Sequence, residues 1–91
     1  MKIEFDAAKN VSNIAERGLS FKRAADFDFS SAVVTENVRF VYPERRFVAV
    51  GYLGNRLHAL CFTSIEGGIR VISFRKANSR AGKTHEKQLY R

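Results

Sequence analysis

The chain has 91 residues, of which 45% are apolar and 12% aromatic, and a net charge of +7. That length permits one compact domain burying about 60–65% of the surface its unfolded chain exposes, and it excludes a second core. Six Gly and one Pro are too few for a low-complexity chain, while eight Phe and three Tyr suffice to fill a core.

The strand-like run Ile3-Glu4-Phe5 ends at Asp6, whose side chain can cap a helix starting at Ala7. Val11, Ile14 and Ala15 supply that helix's expected apolar stripe, and Gly18 suits a left-handed stop. Ser20 caps again, with Leu19 stapled on Ala24, so a second short helix is expected over Phe21–Phe27. β-Branched residues near 32–38 predict a strand, and Pro43 a turn. From Arg46 the period becomes two. Arg46–Leu53, Arg56–Ser64 and Ile69–Arg75 read as an antiparallel meander turning at Gly54-Asn55 and Gly67-Gly68. In the polar tail 77–91, Ala81, His85 and Leu89 share one helical stripe. The expected fold is a single α+β domain over residues 1–91, with N-terminal helices, an antiparallel sheet of about four strands and a C-terminal helix.

Charge is distributed on one side. Residues 1–44 hold six Lys/Arg and seven Asp/Glu, for −1, whereas residues 45–91 hold ten Lys/Arg against Glu66 and Glu86, for +8. Such asymmetry attracts polyanions and gains from counterion release, which makes nucleic acid the first expected partner; an anionic membrane or an acidic protein would also serve. No segment approaches the ~18 apolar residues of a membrane span, and the acids near Met1 do not suit a signal peptide, so a cytoplasmic chain without membrane contact is expected. Cys61, the one cysteine, lies in an apolar run and is expected to act as a small buried hydrophobe.

Metal chemistry finds little support, because His58, His85 and Cys61 lack ligand spacing; no metal and no other cofactor is expected. Ser64 and Ser73 sit in strands without a nucleophile elbow, and no phosphate-loop Lys follows Gly67-Gly68. What remains is an array of cations: Arg46, Arg56, Arg70, Arg75, Lys76, Arg80, Lys83, Lys87 and Arg91. Cutting RNA without metal requires deprotonation of the ribose 2′-hydroxyl, stabilisation of the charge added at phosphorus, and protonation of the 5′-oxygen. Arginine serves the second need best, as a planar and permanently charged donor fork. Strand alternation puts Arg70 with Ile72 and Phe74, and Arg75 with Ile69, Val71 and Ser73, so the two face opposite sides unless the strand ends or bulges between them.

Phe5-Asp6-x-x-Lys9-x-x-x-Asn13, Arg17-Gly18-Leu19-Ser20-Phe21-x-x-Ala24, Glu44-Arg45-Arg46, Gly51, Ile69 through Ala77 and Glu86-x-x-x-Tyr90 occur in order over nearly the whole chain. The series resembles the BrnT toxin family. The resemblance implies a ribonuclease of RelE-like fold that inhibits translation and is neutralised by a BrnA-like antitoxin, with operator DNA met only through that antitoxin. It implies catalytic roles for Arg46, Arg70, Arg75, Arg80 and Tyr90, and RNA binding by Lys9 and Asn13, to which the basic array adds Lys76, Lys83 and Lys87. Two departures stand out: Glu16-Arg17-Gly18 replaces the family's Lys-His-Gly, and Ala81–His85 reads as an insertion. The general base is therefore left unnamed, and the alternative is a non-catalytic basic module that grips nucleic acid or a protein partner.

Overall fold

The computed structural model describes residues 1–38 and 40–78. Strand β1 (Lys2–Phe5) leads into helix α1 (Ala7–Arg17), then a 3-10 helix (Phe21–Asp26) and strands β2 (Val33–Asn37), β3 (Arg46–Leu53), β4 (Arg56–Ile65) and β5 (Gly68–Lys76). The strands form one sheet in the order β1-β5-β4-β3-β2.

The expected architecture needs correction. The sheet has five strands and is mixed, because β1 adds to β5 in parallel with Lys2 opposite Gly68 and Phe5 opposite Val71. Gly68 accordingly belongs to the strand, and the β4–β5 turn is Glu66-Gly67. A Cβ at Gly68 would run into the Lys2 backbone, so the close parallel neighbour requires glycine there. Instead of N-terminal helices there is one α-helix followed by a 3-10 helix. Phe27 cannot extend that second helix, since it turns extended and bridges Leu53 of β3. Of the expected C-terminal helix over 77–91, Ala77 and Asn78 are not helical and residues 79–91 lie outside the described residues. Mixed sheet plus one helix, rather than helices flanking an antiparallel sheet, is the architecture of the described chain.

Helix α1 begins and ends as its sequence predicts, with Asp6 accepting from Lys9 N–H at 3.0 Å and Gly18, at φ 64, donating to Ile14 O at 2.8 Å. Its burial is inverted. Val11 and Ile14 are exposed and Asn13 is the buried residue. The Asn13 amide explains this, because its two hydrogens go to Leu19 O at 2.8 Å and Phe74 O at 2.9 Å. Strand β1 covers only residues 68–71 of β5, so α1 lies along the rest of that edge, where Asn13 satisfies a carbonyl no strand takes.

The core lies on one face of the sheet, beneath the 3-10 helix. Phe21, Leu60, Val71 and Phe74 are its largest fully buried side chains, and edge-to-face contacts link Phe27 to Phe29 at 4.8 Å and to Phe74 at 6.0 Å. Cys61 lies on the other face, opposite Ser73, and is only half-buried. A bulge opposes Cys61 to Ser73 but Phe62 to Val71, leaving Ile72 as the extra residue of β5. Alternation resets there: Val71 before the bulge and Phe74 after it are both buried, so Arg70 and Arg75 project from the same face.

Candidate active site

Where α1 ends beside the C-terminal end of β5, a cavity of about 530 Å³ is lined by Arg17, Gly18, Leu19, Arg23, His58, Arg75 and Lys76. Each element contributes through its own geometry. Gly18 stops α1 so that Arg17 stands at the rim, and the β4–β5 ladder sets His58 opposite Lys76 and Ala59 opposite Arg75. His58 is 6% exposed and packs against the Phe74 ring at 5.6 Å. Its Nδ1 lies 2.9 Å from Arg56 O. A carbonyl can only accept, so Nδ1 carries the proton and Nε2 is the ring's acceptor.

Among the described residues, four cations line this cavity and no carboxylate does. Among the described residues the ion pairs are Arg45–Glu36, Arg46–Glu44 and Arg70–Glu4, none of which engages Arg17, Arg23, Arg75 or Lys76. Unneutralised cations around a partly enclosed space favour an anion, and a fixed imidazole acceptor beside them can take a proton from a hydroxyl.

The expected site residues divide between places. Arg75 and Lys76 line this cavity with His58, Lys76 as the β5 residue opposite His58 and Arg75 from the neighbouring position, which projects from the other face of the sheet. Lys9 and Asn13 line a second cavity of about 300 Å³ along the middle of α1, with Asn13's amide hydrogens spent on backbone carbonyls. Lys9, Arg46 and Arg70 line a third, of about 390 Å³, beyond the start of α1, together with Glu4, Asp6 and Glu44. Arg80, Lys83, Lys87 and Tyr90 lie outside the described residues.

Sequence reasoning missed His58, Arg17 and Arg23. The sequence presents His58 only as a metal ligand lacking partners at ligand spacing; its signal is its position on the Leu60–Phe62 face of β4, where a polar side chain interrupts an apolar stripe. Arg17 registered only as the replacement for a histidine, whereas it shares its cavity with one. Among the described residues no group of three or more His, Cys, Asp or Glu is arranged to hold a metal ion, and no helix is long and apolar enough to cross a membrane.

The class these features define is a small mixed-sheet domain in which an imidazole stands among cations that form no ion pair with the described residues, a setting suited to an anion. The profile of the ribonuclease toxin BrnT, of type II toxin–antitoxin systems, matches residues 5–81, and the chain belongs to that family. It is thus a ribonuclease toxin with an antitoxin protein as partner. No curated protein matches the chain.

Proposed function

We propose that this toxin cleaves RNA endonucleolytically and without metal in the His58 cavity, by internal attack of the ribose 2′-hydroxyl. His58 Nε2 takes the 2′-proton, O2′ bonds to phosphorus, and the P–O5′ bond breaks, leaving a 2′,3′-cyclic phosphate and a 5′-hydroxyl as the departing oxygen takes a proton from solvent water and the imidazolium then releases its own to solvent. Arg75 and Lys76 offset the charge added at phosphorus, while Arg17 and Arg23 hold the entering strand. The observation that carries the reading is the cavity's lining among the described residues: one imidazole, four cations, no carboxylate. In the cytoplasm such cleavage would stop translation until a BrnA-like antitoxin covers the toxin.

The deciding experiment incubates purified protein with RNA in EDTA and identifies the product ends. Wild type yields cyclic phosphate and 5′-hydroxyl ends, His58→Gln loses about 10²-fold or more in rate, and Arg75→Ala is likewise impaired. RNA left intact by the folded wild type in EDTA, or full activity in His58→Gln, would overturn the assignment.

A further inference from the structure

Every apolar side chain of α1 lies on its outer side. Ala7, Ala8, Val11, Ile14 and Ala15 are all exposed, Val11 at 66% and Ile14 at 45%, while Asn13 is the buried residue of the helix. At about 100° per residue the five fall within an arc of about 120°, the width of the stripe by which a helix ordinarily packs. Ala7, Val11, Ile14 and Gly18 also follow the alternating four-and-three spacing of a seam between two helices. The small residues at either end of that seam admit a close neighbour.

Asn13 keeps this face turned outward. Its amide hydrogens are given to Leu19 O and Phe74 O, which fixes the polar side of α1 on the sheet edge. The apolar side is left to water among the described residues, and a contiguous exposed apolar stripe marks a surface that another element covers.

Size and charge decide what covers it. The helix is about 16 Å long and roughly 10 Å wide, so its outer face offers about 160 Å², a fifth of the ~800 Å² that each partner buries in a stable complex. A second copy meeting it face to face would bury too little and would bring a net charge of +7 against +7. The occupant must reach further, and the neighbouring surface is cationic. Arg17, two positions beyond Ala15, is exposed and lines the His58 cavity with Arg23, Arg75 and Lys76, none of which is ion-paired among the described residues. A partner that continues from the apolar face onto these cations fits only if it carries carboxylates there.

We infer that the outer face of α1 is the seat of the antitoxin, which lays an amphipathic helix along Ala7, Val11, Ile14 and Gly18 and presents acidic residues to Arg17 and Arg23. Seated in this way it closes the mouth of the His58 cavity while it holds the toxin. That closure rests on the proposed reading of the cavity; the docking face does not.

The test titrates full-length toxin with its purified antitoxin at low and at molar salt. Val11→Glu, at an exposed position outside the cavity, leaves the Tm and the RNA cleavage of the free toxin unchanged. It weakens the complex about thirtyfold or more, as loss of a central apolar anchor does. Val11→Lys removes the same contact but suits an acidic partner, so it weakens the complex less, and the gap between the two variants closes in molar salt. Val41→Asp, at a fully exposed apolar residue of the β2–β3 loop, keeps wild-type affinity. Wild-type affinity in Val11→Glu/Ile14→Gln would overturn the inference, and equal losses in Val11→Glu and Val11→Lys at low salt would overturn its acidic partner. Free toxin that sediments as a dimer, and as a monomer in Val11→Glu, would assign the face to a second copy instead. Association is read without cleavage, so His58→Gln, which decides the cavity, should bind the antitoxin as wild type does, and failure of the one reading leaves the other standing.

Discussion

Asn13 donates its side-chain amide to the carbonyl of Phe74 at 2.9 Å, fixing α1 against the strand residue that precedes Arg75. The same nitrogen reaches Leu19 O, so one buried side chain joins the helix, the connection after it and the sheet edge. Asn13→Leu removes both donors while keeping bulk and leaves two carbonyls without a partner. The expected loss is about 2–3 kcal/mol, or roughly 10 °C in Tm for a domain of this size, read by thermal denaturation. A change in Tm of only a degree or two would mean that α1 is held by other contacts.

The close approach of β1 to β5 leads to a second expectation. Gly68→Ala puts a methyl group into the Lys2 backbone, and the strain is relieved only by displacing β1. Overpacking of this kind costs about 1–3 kcal/mol, to which lost β1 pairing adds. Hydrogen exchange is the sharper measurement: amides of Lys2 and Glu4, which face β5, should lose protection while those of β3 and β4 keep it.

The β3–β5 meander is legible in the sequence because apolar and β-branched runs of strand length lie between glycine-bearing turns, while the bulge at Ile72, which breaks the alternation within β5, is not. The parallel partner of β1 is not legible. A four-residue strand carries no signal of its partner, and the glycine that admits it reads equally well as a turn residue. The stripe Val11–Ile14–Ala15 points inward by hydrophobicity, which is a prior on burial; the two hydrogen bonds of Asn13 outweigh it. Of the site, Arg75 and Lys76 are visible as the basic end of a strand. His58 is not, since its meeting with Lys76 follows from a hairpin register that the bulge at Ile72 shifts by one residue.

Burial pushes the Cys61 thiol up from its ordinary 9.0, against the opposing pull of Arg46, the hydroxyl of Ser73 and Lys9. A group protonated more tightly in the folded state contributes stability below pH 9.0 and loses it as pH rises through the folded value. Wild type should therefore weaken above pH 9 more steeply than Cys61→Ala in denaturant titrations. Alkylation of the native thiol should stay slow at neutral pH and accelerate to the unfolded rate in denaturant. Equal slopes above pH 9 would remove the desolvation argument.

The Arg45 guanidinium holds the Glu36 carboxyl below its ordinary 4.5 through a two-pronged contact, Nη2 to Oε1 at 2.7 Å and Nε to Oε2 at 3.1 Å. A lowered carboxyl contributes stability above pH 4.5 and loses it as pH falls through the folded value. Glu36→Gln should flatten the acid limb of the stability profile. At neutral pH the change should be small and vanish in high salt, as expected for a solvent-exposed pair. An effect that survives molar salt would contradict that account.

Arg17 lines both the His58 cavity and the cavity along the middle of α1, so on the proposed reading its charge would meet RNA entering from either side. It is exposed at the end of α1, where its positive charge also suits the helix C-terminus, and removing it should cost the fold little. Arg17→Ala is expected to weaken binding of uncleavable RNA about tenfold at low salt, with a fall of roughly 0.7 in the salt slope, whereas Arg17→Lys keeps the slope. For cleavable RNA the same change should appear chiefly in KM, because His58 and Arg75 remain in place to act on the bound phosphate. A loss confined to kcat would instead put Arg17 at the reacting phosphate, where its guanidinium would meet the charge formed during transfer rather than the charge the strand already carries.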